Sequence, residues 1–368
     1  MTSTGWRCAV VTAPIGAGHD LPAEVLRDGL RAARPEADVA IVDGLAAMGR
    51  FIERVVNGGS DFDTRLGNVA FDLGHRLIHD WGPTRRGIEA LGTAIGGRGL
   101  ARAASASDPA VVVSTYPGTT EVLGRLRARG RFRVPVVAAI TDVAALWNWA
   151  HPGIDLHLVT QAEAIEEVRS IAGADAEVVV VRGLSDPRFA TPPDRATARA
   201  SLGLPPLGAT VVAVSGGGWA VGDLEGATEE ALALDDGRGW ALVLCGQDAA
   251  RRAAIDARFA ASGRVRSLGF TDRMPDVLAA ADVLVHSTAG LTVMEALAVG
   301  CPVVSYGWGR GHIRANNAAF LRHGIAEVAE DRPALARALR RALPWRGAPD
   351  PAFAALPTAA EVVLARFG

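Results

Sequence analysis

His19 follows two glycines in Pro14-Ile15-Gly16-Ala17-Gly18-His19-Asp20, just after an apolar run and before the helical pattern LPAEVLRDGLRAA. Glycines at such a turn let a ligand approach the backbone and the start of a helix. An imidazole there titrates near neutrality and is a candidate general base, the alternative being a histidine that caps the helix. A second turn, Ser215-Gly216-Gly217-Gly218-Trp219, follows ATVVAV. It suits a diphosphate at a helix N-terminus, or it is an ordinary glycine turn. A third, His286-Ser287-Thr288-Ala289-Gly290, closes ADVLVHS, and a helix begins at Leu291 or Thr292. Gly290 and Thr292 stand where amides and a hydroxyl would hold a phosphate. Glu295, one turn further on, can accept two ribose hydroxyls. These residues read together as a nucleotide site.

Other chemistry is excluded or set aside. The chain has no lysine, so Schiff-base catalysis and a Walker P-loop are both ruled out. Asp61-Phe62-Asp63 has the DxD form of a metal-binding site but sits in the polar break NGGSDFDTR. Asp72, His75 and His79 share a helical face at metal-ligand spacing, but off the apolar stripe, which reads as a solvated polar face. No metal and no tightly bound cofactor is expected.

Strand-like runs must position the glycine turns. They are residues 8–14, 39–44, 110–115, 134–142, 156–160 and 177–183, then 209–217, 241–246, 265–270, 281–287 and 301–306. Continuous apolar strands of this kind are buried on both faces, as in parallel sheets covered by helices. Their alternation with helical patterns predicts an α/β chain of two doubly wound domains facing each other across a cleft, with ligand at the carboxyl ends of the strands. The composition breaks over the Pro-rich stretch 185–208, which places the linker near 185–200. The expected division is an N-terminal domain at 1–188 and a C-terminal, nucleotide-binding domain at 200–342. A last segment, 343–368, is expected to cross back. Between Gly44 and Arg102 the alternation lapses: Met48, Ile52 and Val55, then Leu66, Val69, Leu73 and Leu77, follow helical spacing. This insertion is either a pair of packing helices or an acceptor- or membrane-touching element at 45–102.

A chain of 368 residues, 49% hydrophobic and 21% charged, with 38 basic against 40 acidic groups, buries a sizeable core and has no general attraction for nucleic acid. No apolar run approaches a membrane span, and the first residues lack a signal-peptide pattern. Cys8, Cys245 and Cys301 are scattered in apolar runs and read as reduced buried thiols. The expected location is cytoplasmic, with peripheral contact at the inner face of the membrane as an option.

The stretch AGLTVMEALAVGCPVV resembles the nucleotide-sugar signature of family 28 glycosyltransferases with the GT-B fold. GAGHD is similar to the GGGH turn of their diacylglycerol (monogalactosyldiacylglycerol synthase-like) branch. Ile140-Thr141-Asp142 with Trp149-Ala150-His151 is similar to that branch's TD…W-V-H segment. HPGIDLHLVTQAEAIEEV and GFTDRMPDVLAAADV extend the likeness over nearly the whole chain.

The resemblance implies inverting transfer of a sugar from UDP to an acceptor hydroxyl, with His19 as base and Asp142 as the reserve candidate. It gives the diphosphate to Ala289, Gly290, Leu291 and Thr292, with Gly216, Gly217 and Gly218 beside it, and the ribose to Glu295. Phe270 and Met274 would flank the uracil, and His312 and Asn316 would lie near the donor sugar. Gly18, Trp147 and Trp149 stand on the acceptor side, where aromatic faces stack on sugars and aglycones. The departures are informative. His312 and Ile313 replace a glutamine and an acidic residue, Ala289 replaces a glycine, and Leu146 replaces a histidine that diacylglycerol enzymes carry. The acceptor therefore stays open between a lipid such as diacylglycerol and a small hydroxylated aglycone. A UDP-sugar 2-epimerase or a non-catalytic nucleotide-sugar-binding partner would use the same architecture.

Overall fold

The structure, a computed structural model, describes residues 5–14, 17–54, 82–182, 184–288, 290–307 and 312–368, with backbone alone at 17–19, 82–84 and 312. It divides into two units, Met1–Ser185 with Leu356–Gly368, and Asp186–Ala355.

The first unit is a parallel six-stranded sheet of β1 (Arg7–Thr12), β2 (Asp38–Asp43), β3 (Val111–Ser114), β4 (Val136–Ile140), β5 (Leu156–Val159) and β6 (Val178–Val180). Their order is β2-β1-β3-β4-β5-β6. Its principal helices are α1 (Ala17–Ala33), α2 (Gly44–Met48), α3 (Gly82–Ala104), α4 (Pro117–Ala128) and α5 (Ile165–Ala172). One face of the sheet packs on α3 and α4 through Leu100, Val122 and Leu123. The other packs on α1 through Ala23, Leu26 and Leu30.

The second unit contains β7 (Val211–Ser215), β8 (Trp240–Leu244), β9 (Val265–Leu268), β10 (Val283–His286), β11 (Val303–Tyr306) and β12 (Glu327–Ala329), all parallel, in the order β12-β11-β10-β7-β8-β9. Its helices are α6 (Arg195–Ser201), α7 (Leu224–Leu232), α8 (Ala249–Phe259), α9 (Met274–Ala280), α10 (Leu291–Ala298), α11 (His312–His323) and α12 (Arg332–Ala342). The last helix of the chain, α13 (Ala359–Phe367), returns to the first unit and buries Ala359, Ala360 and Val363 there.

Every apolar run read as a strand is one, and both sheets are doubly wound. Among the described residues, the short edge strand β12 is the one strand that gave no signal. The stretch 186–199, expected as linker or first-domain tail, belongs to the second unit. There the buried Arg199 guanidinium meets Asp282 at 2.6 Å and the carbonyls of Ala280, Pro206 and Ala209. Residues 343–355 also stay with that unit: Arg346 donates to the carbonyls of Ala279, Ala281 and Val299, and only Leu356 onward joins the first. Of the insertion, Met48 is buried against α3 and Ile52 half-buried. Val55, Leu66, Val69, Leu73, Leu77, the Asp61-Phe62-Asp63 triplet and the Asp72, His75, His79 set lie outside the described residues, as does Ala289. All three cysteines are buried and free.

Candidate active site

In a doubly wound sheet the ligand crevice forms where the strand order reverses, beyond the carboxyl ends of the strands. In the second unit that point lies between β7 and β10, in the first between β1 and β3.

The loops that leave β7 and β10 pack on one another. Gly217 has φ +70°, and a Cβ there would sit 3.1 Å from Thr288 Oγ1. Its amide donates to Ser215 Oγ at 3.2 Å, so this donor is used inside the turn. Gly246, after β8, comes so close to the Gly218 carbonyl that no side chain fits. These two glycines are thus demanded by packing. On the other loop, His286 Nε2 and Thr288 Oγ1 are 2.8 Å apart. Burial pushes the His286 imidazole down to about 4, against a weaker opposing pull from the Ser215 backbone, and Nδ1 has no hydrogen-bond partner.

Helix α10 begins at this loop with Gly290 as its N-cap and no side-chain cap. Asp194, Asp223, Asp248 and Asp331 supply that acceptor to α6, α7, α8 and α12. An uncapped N-terminus presents amides and a positive dipole end to an anion. Leu291 is buried and Thr292 half-buried in its first turn. Glu295, one turn in, is 5% exposed, and no described residue hydrogen-bonds or ion-pairs its carboxylate. Burial, and secondarily the Asp186 charge, pushes its carboxyl up to about 8.

Phe270, just past β9, is 61% exposed, and Met274 opens α9 half-buried. With neighbouring strands about 4.8 Å apart, β9 lies three spacings, roughly 14 Å, from β10, whose loop starts α10. That is a span suited to a nucleoside diphosphate running from the α10 amides to Phe270. His312 is the first residue of α11. Asn316 is 0% exposed, and the neighbouring Asn317 accepts from Ser305 Oγ at 2.7 Å. Asn316 thus lies inside the domain, one turn on from the start of α11.

In the first unit, Gly18 and His19 lie in the first turn of α1, beyond the carboxyl end of β1. Asp20, next in that turn, accepts from Thr12 Oγ1 at 3.5 Å, and burial raises its carboxyl pKa. Asp142 follows β4, and the Trp149 indole N–H donates to its Oδ2 at 2.8 Å. Trp149 is 1% exposed and part of the core, so its ring positions Asp142 and presents no open face to an acceptor. Trp147 is half-exposed beneath the Arg85 guanidinium at 5.6 Å. Arg85 pairs with Glu89, Glu89 with Arg125, and Arg125 with the buried Glu121, whose carboxyl burial raises to about 7.

Two further features had no sequence signal. Apart from aspartates, the non-glycine residues with left-handed backbone among those described are Ala145 (φ +61°) and Ala220 (φ +53°). Such backbone costs about 1 kcal/mol or more, and strain of this kind gathers at functional sites. Both stand beyond a strand end: Ala220 directly follows Trp219, and Ala145 comes two residues before Trp147. The Asp223 cap also accepts from Tyr306 Oη at 2.9 Å, tying the β11 end to the turn after β7; a helix-start signal at Asp223 was readable, its bond to Tyr306 was not.

The sequence family "Monogalactosyldiacylglycerol (MGDG) synthase" matches residues 19–185, and "Glycosyl transferases group 1" matches 224–344, one on each unit. A processive diacylglycerol beta-glucosyltransferase of Staphylococcus aureus is 22% identical over 60% of this chain. The chain spans 56% of that relative's length. The structure of MurG from Acinetobacter baumannii superposes with TM-score 0.59 at 15% identity, over 99% of each chain. Os79 from O. sativa in complex with UDP gives 0.56 at 12% identity, over 91% of this chain and 90% of its own. The fold is that of the GT-B glycosyltransferases, and the likeness to their diacylglycerol branch, read from the motifs, holds.

Proposed function

We propose that the chain transfers a hexose from a UDP-sugar to an acceptor hydroxyl with inversion. The observation that carries the donor half is Glu295: a buried, raised carboxylate with no hydrogen-bond or ion-pair partner among the described residues, one turn beyond an uncapped helix N-terminus at the strand-order reversal. Two vicinal ribose hydroxyls would supply the missing donors. The α10 amides and Thr292 take the diphosphate, and Phe270 and Met274 take the base. The UDP bound to Os79, on a related fold, agrees with this choice of nucleotide.

In the reaction His19 removes the acceptor proton and the freed oxygen attacks the anomeric carbon. The bond from that carbon to the diphosphate oxygen breaks, and its electron pair leaves with UDP. The amides and dipole of α10 stabilise the charge that develops on the departing diphosphate. Asp142, oriented by Trp149, is the reserve base. The loop of Trp147 and Gly18 at the α1 turn form the acceptor side. A lipid acceptor such as diacylglycerol is favoured by the relative's name. Helix α3 exposes Ile88, Leu91 and Ile95 at helical spacing, an apolar stripe suited to peripheral contact with a bilayer. No helix among the described residues is long and apolar enough to cross one.

The deciding experiment pairs calorimetry with UDP and a transfer assay of UDP-Glc, UDP-Gal and UDP-GlcNAc against diacylglycerol and small hydroxylated aglycones. Micromolar UDP binding and glycoside formation are expected. Absence of UDP binding sinks the donor assignment, and epimerised UDP-sugar without acceptor makes the chain an epimerase.

A further inference from the structure

Trp219 is 65% exposed and Val221, two residues on, is also exposed, both on the turn that leaves β7 at the strand-order reversal. Ala220 between them is buried and left-handed. That alternation throws both apolar side chains outward. The turn is pinned from every side. Ala220 N–H donates to the Gly217 carbonyl, Val221 N–H to that of Gly216, and Gln247 N–H to that of Gly218. Arg251 Nη2 holds the Gly222 carbonyl at 2.8 Å, and Gly222 abuts Ser287 so closely that a Cβ would come within 2.5 Å of its Oγ.

A rigidly held, bare indole at a ligand crevice is a binding platform rather than a stray surface group. The nucleotide does not need it. In that reading the α10 amides, Thr292 and Glu295 answer its phosphates and ribose, and Phe270 its base. What remains unanswered is an apolar surface. We propose that Trp219 and Val221 form an acceptor-binding edge on the nucleotide domain and take the hydrocarbon or aromatic part of a hydroxyl-bearing acceptor. This rests on the transferase reading and adds to it an acceptor determinant outside the first unit.

Fluorotryptophan-labelled protein reports the site directly, with Trp219→Phe identifying the Trp219 fluorine resonance. The resonance should stay in place on adding UDP or UDP-glucose and move on adding dioctanoylglycerol or naringenin. A shift with the first alone identifies a lipid chain, with the second alone a planar aglycone, and either supports the edge. Trp219→Ala should raise the acceptor KM about tenfold, leave the UDP dissociation constant within about twofold, and be partly rescued by Phe. A resonance that follows UDP-glucose makes Trp219 a donor-sugar platform and overturns the proposal. So does one indifferent to both acceptors in a protein that binds UDP. Loss of UDP binding in the wild type strikes the donor reading instead, because the acceptor shift is read without turnover.

Discussion

Nε2 of His286 lies 2.8 Å from Oγ1 of Thr288, and this contact fastens the loop that starts α10 to the buried end of β10. Thr288→Val keeps the shape and removes the hydroxyl. The buried Nε2 would then lose its hydrogen bond, which costs about 1–3 kcal/mol. Urea unfolding should register that loss, and UDP should bind more weakly. An unchanged midpoint would show that the histidine does not anchor the loop.

His151, His157 and His286 are each pushed down to about 4, with burial the largest cause. The unfolded chain takes up these protons near pH 6.5, the native protein only near 4. Their contribution to stability is therefore complete above 6.5 and drains away as pH falls toward 4. Glu121 and Glu295 act in the opposite sense, because their carboxyls are raised to about 7 and about 8. The unfolded chain ionises them first, so stability declines as pH climbs from about 4.5 to 8. Melting temperature against pH should peak between about 6 and 7. A plateau extending to pH 9 would contradict the raised carboxyls.

Ribose hydroxyls donate, so UDP selects the ionised form of Glu295. Binding should release a proton below pH 8 and tighten as pH rises from about 6 to 8. Calorimetry in buffers of differing ionisation enthalpy measures both effects. Glu295→Gln should abolish the pH dependence, weaken UDP by about 1.5–3 kcal/mol and flatten the alkaline limb of the melting profile. Wild-type affinity independent of pH would remove Glu295 from the ribose site.

General-base assistance is typically worth ~10²–10⁴ in rate. His19→Ala should lower turnover by about that factor while UDP affinity stays within about twofold, since the donor contacts belong to the other unit. Wild-type turnover should decline as pH drops through the histidine range. If the variant keeps near-normal turnover, the role passes to Asp142, and Asp142→Asn becomes the decisive substitution.

Turnover should survive excess EDTA, because helix amides and dipole, in place of a cation, meet the diphosphate in this reading. Activity that EDTA abolishes and magnesium or manganese restores would redirect attention to Asp61 and Asp63.

Strands were legible because parallel strands buried on both faces leave unbroken apolar runs, such as Val111–Ser114 and Val283–His286. The glycine turns marked where those strands release the chain. Residue type could not say which way a side chain faces. Trp149 and Asn316 carry groups that suit a ligand, yet one is sealed into the core as the partner of Asp142 and the other is fully covered. Nor does composition reveal a left-handed alanine, so the platform at Trp219 was invisible. The Pro-rich stretch before Leu204 read as linker, but Arg199 satisfies its guanidinium on backbone carbonyls and Asp282, a burial that only tertiary structure supplies.

The return of α13 has a consequence for how the protein comes into being. Arg182 N–H and Nε donate to the carbonyls of Pro357 and Leu356, Trp6 Nε1 donates to the carbonyl of Phe367, and Gly29 of α1 leaves space for Ala360. In vectorial synthesis the strands of the first unit's sheet emerge well before α13, one of its covering helices, which appears only after all of Asp186–Ala355. The inserted unit can close while the host still lacks the cover that Ala359, Ala360 and Val363 provide. Domains made in sequence ordinarily mature from the N-terminus onward; here the unit made later can close before the unit that begins earlier, because the earlier one waits for α13.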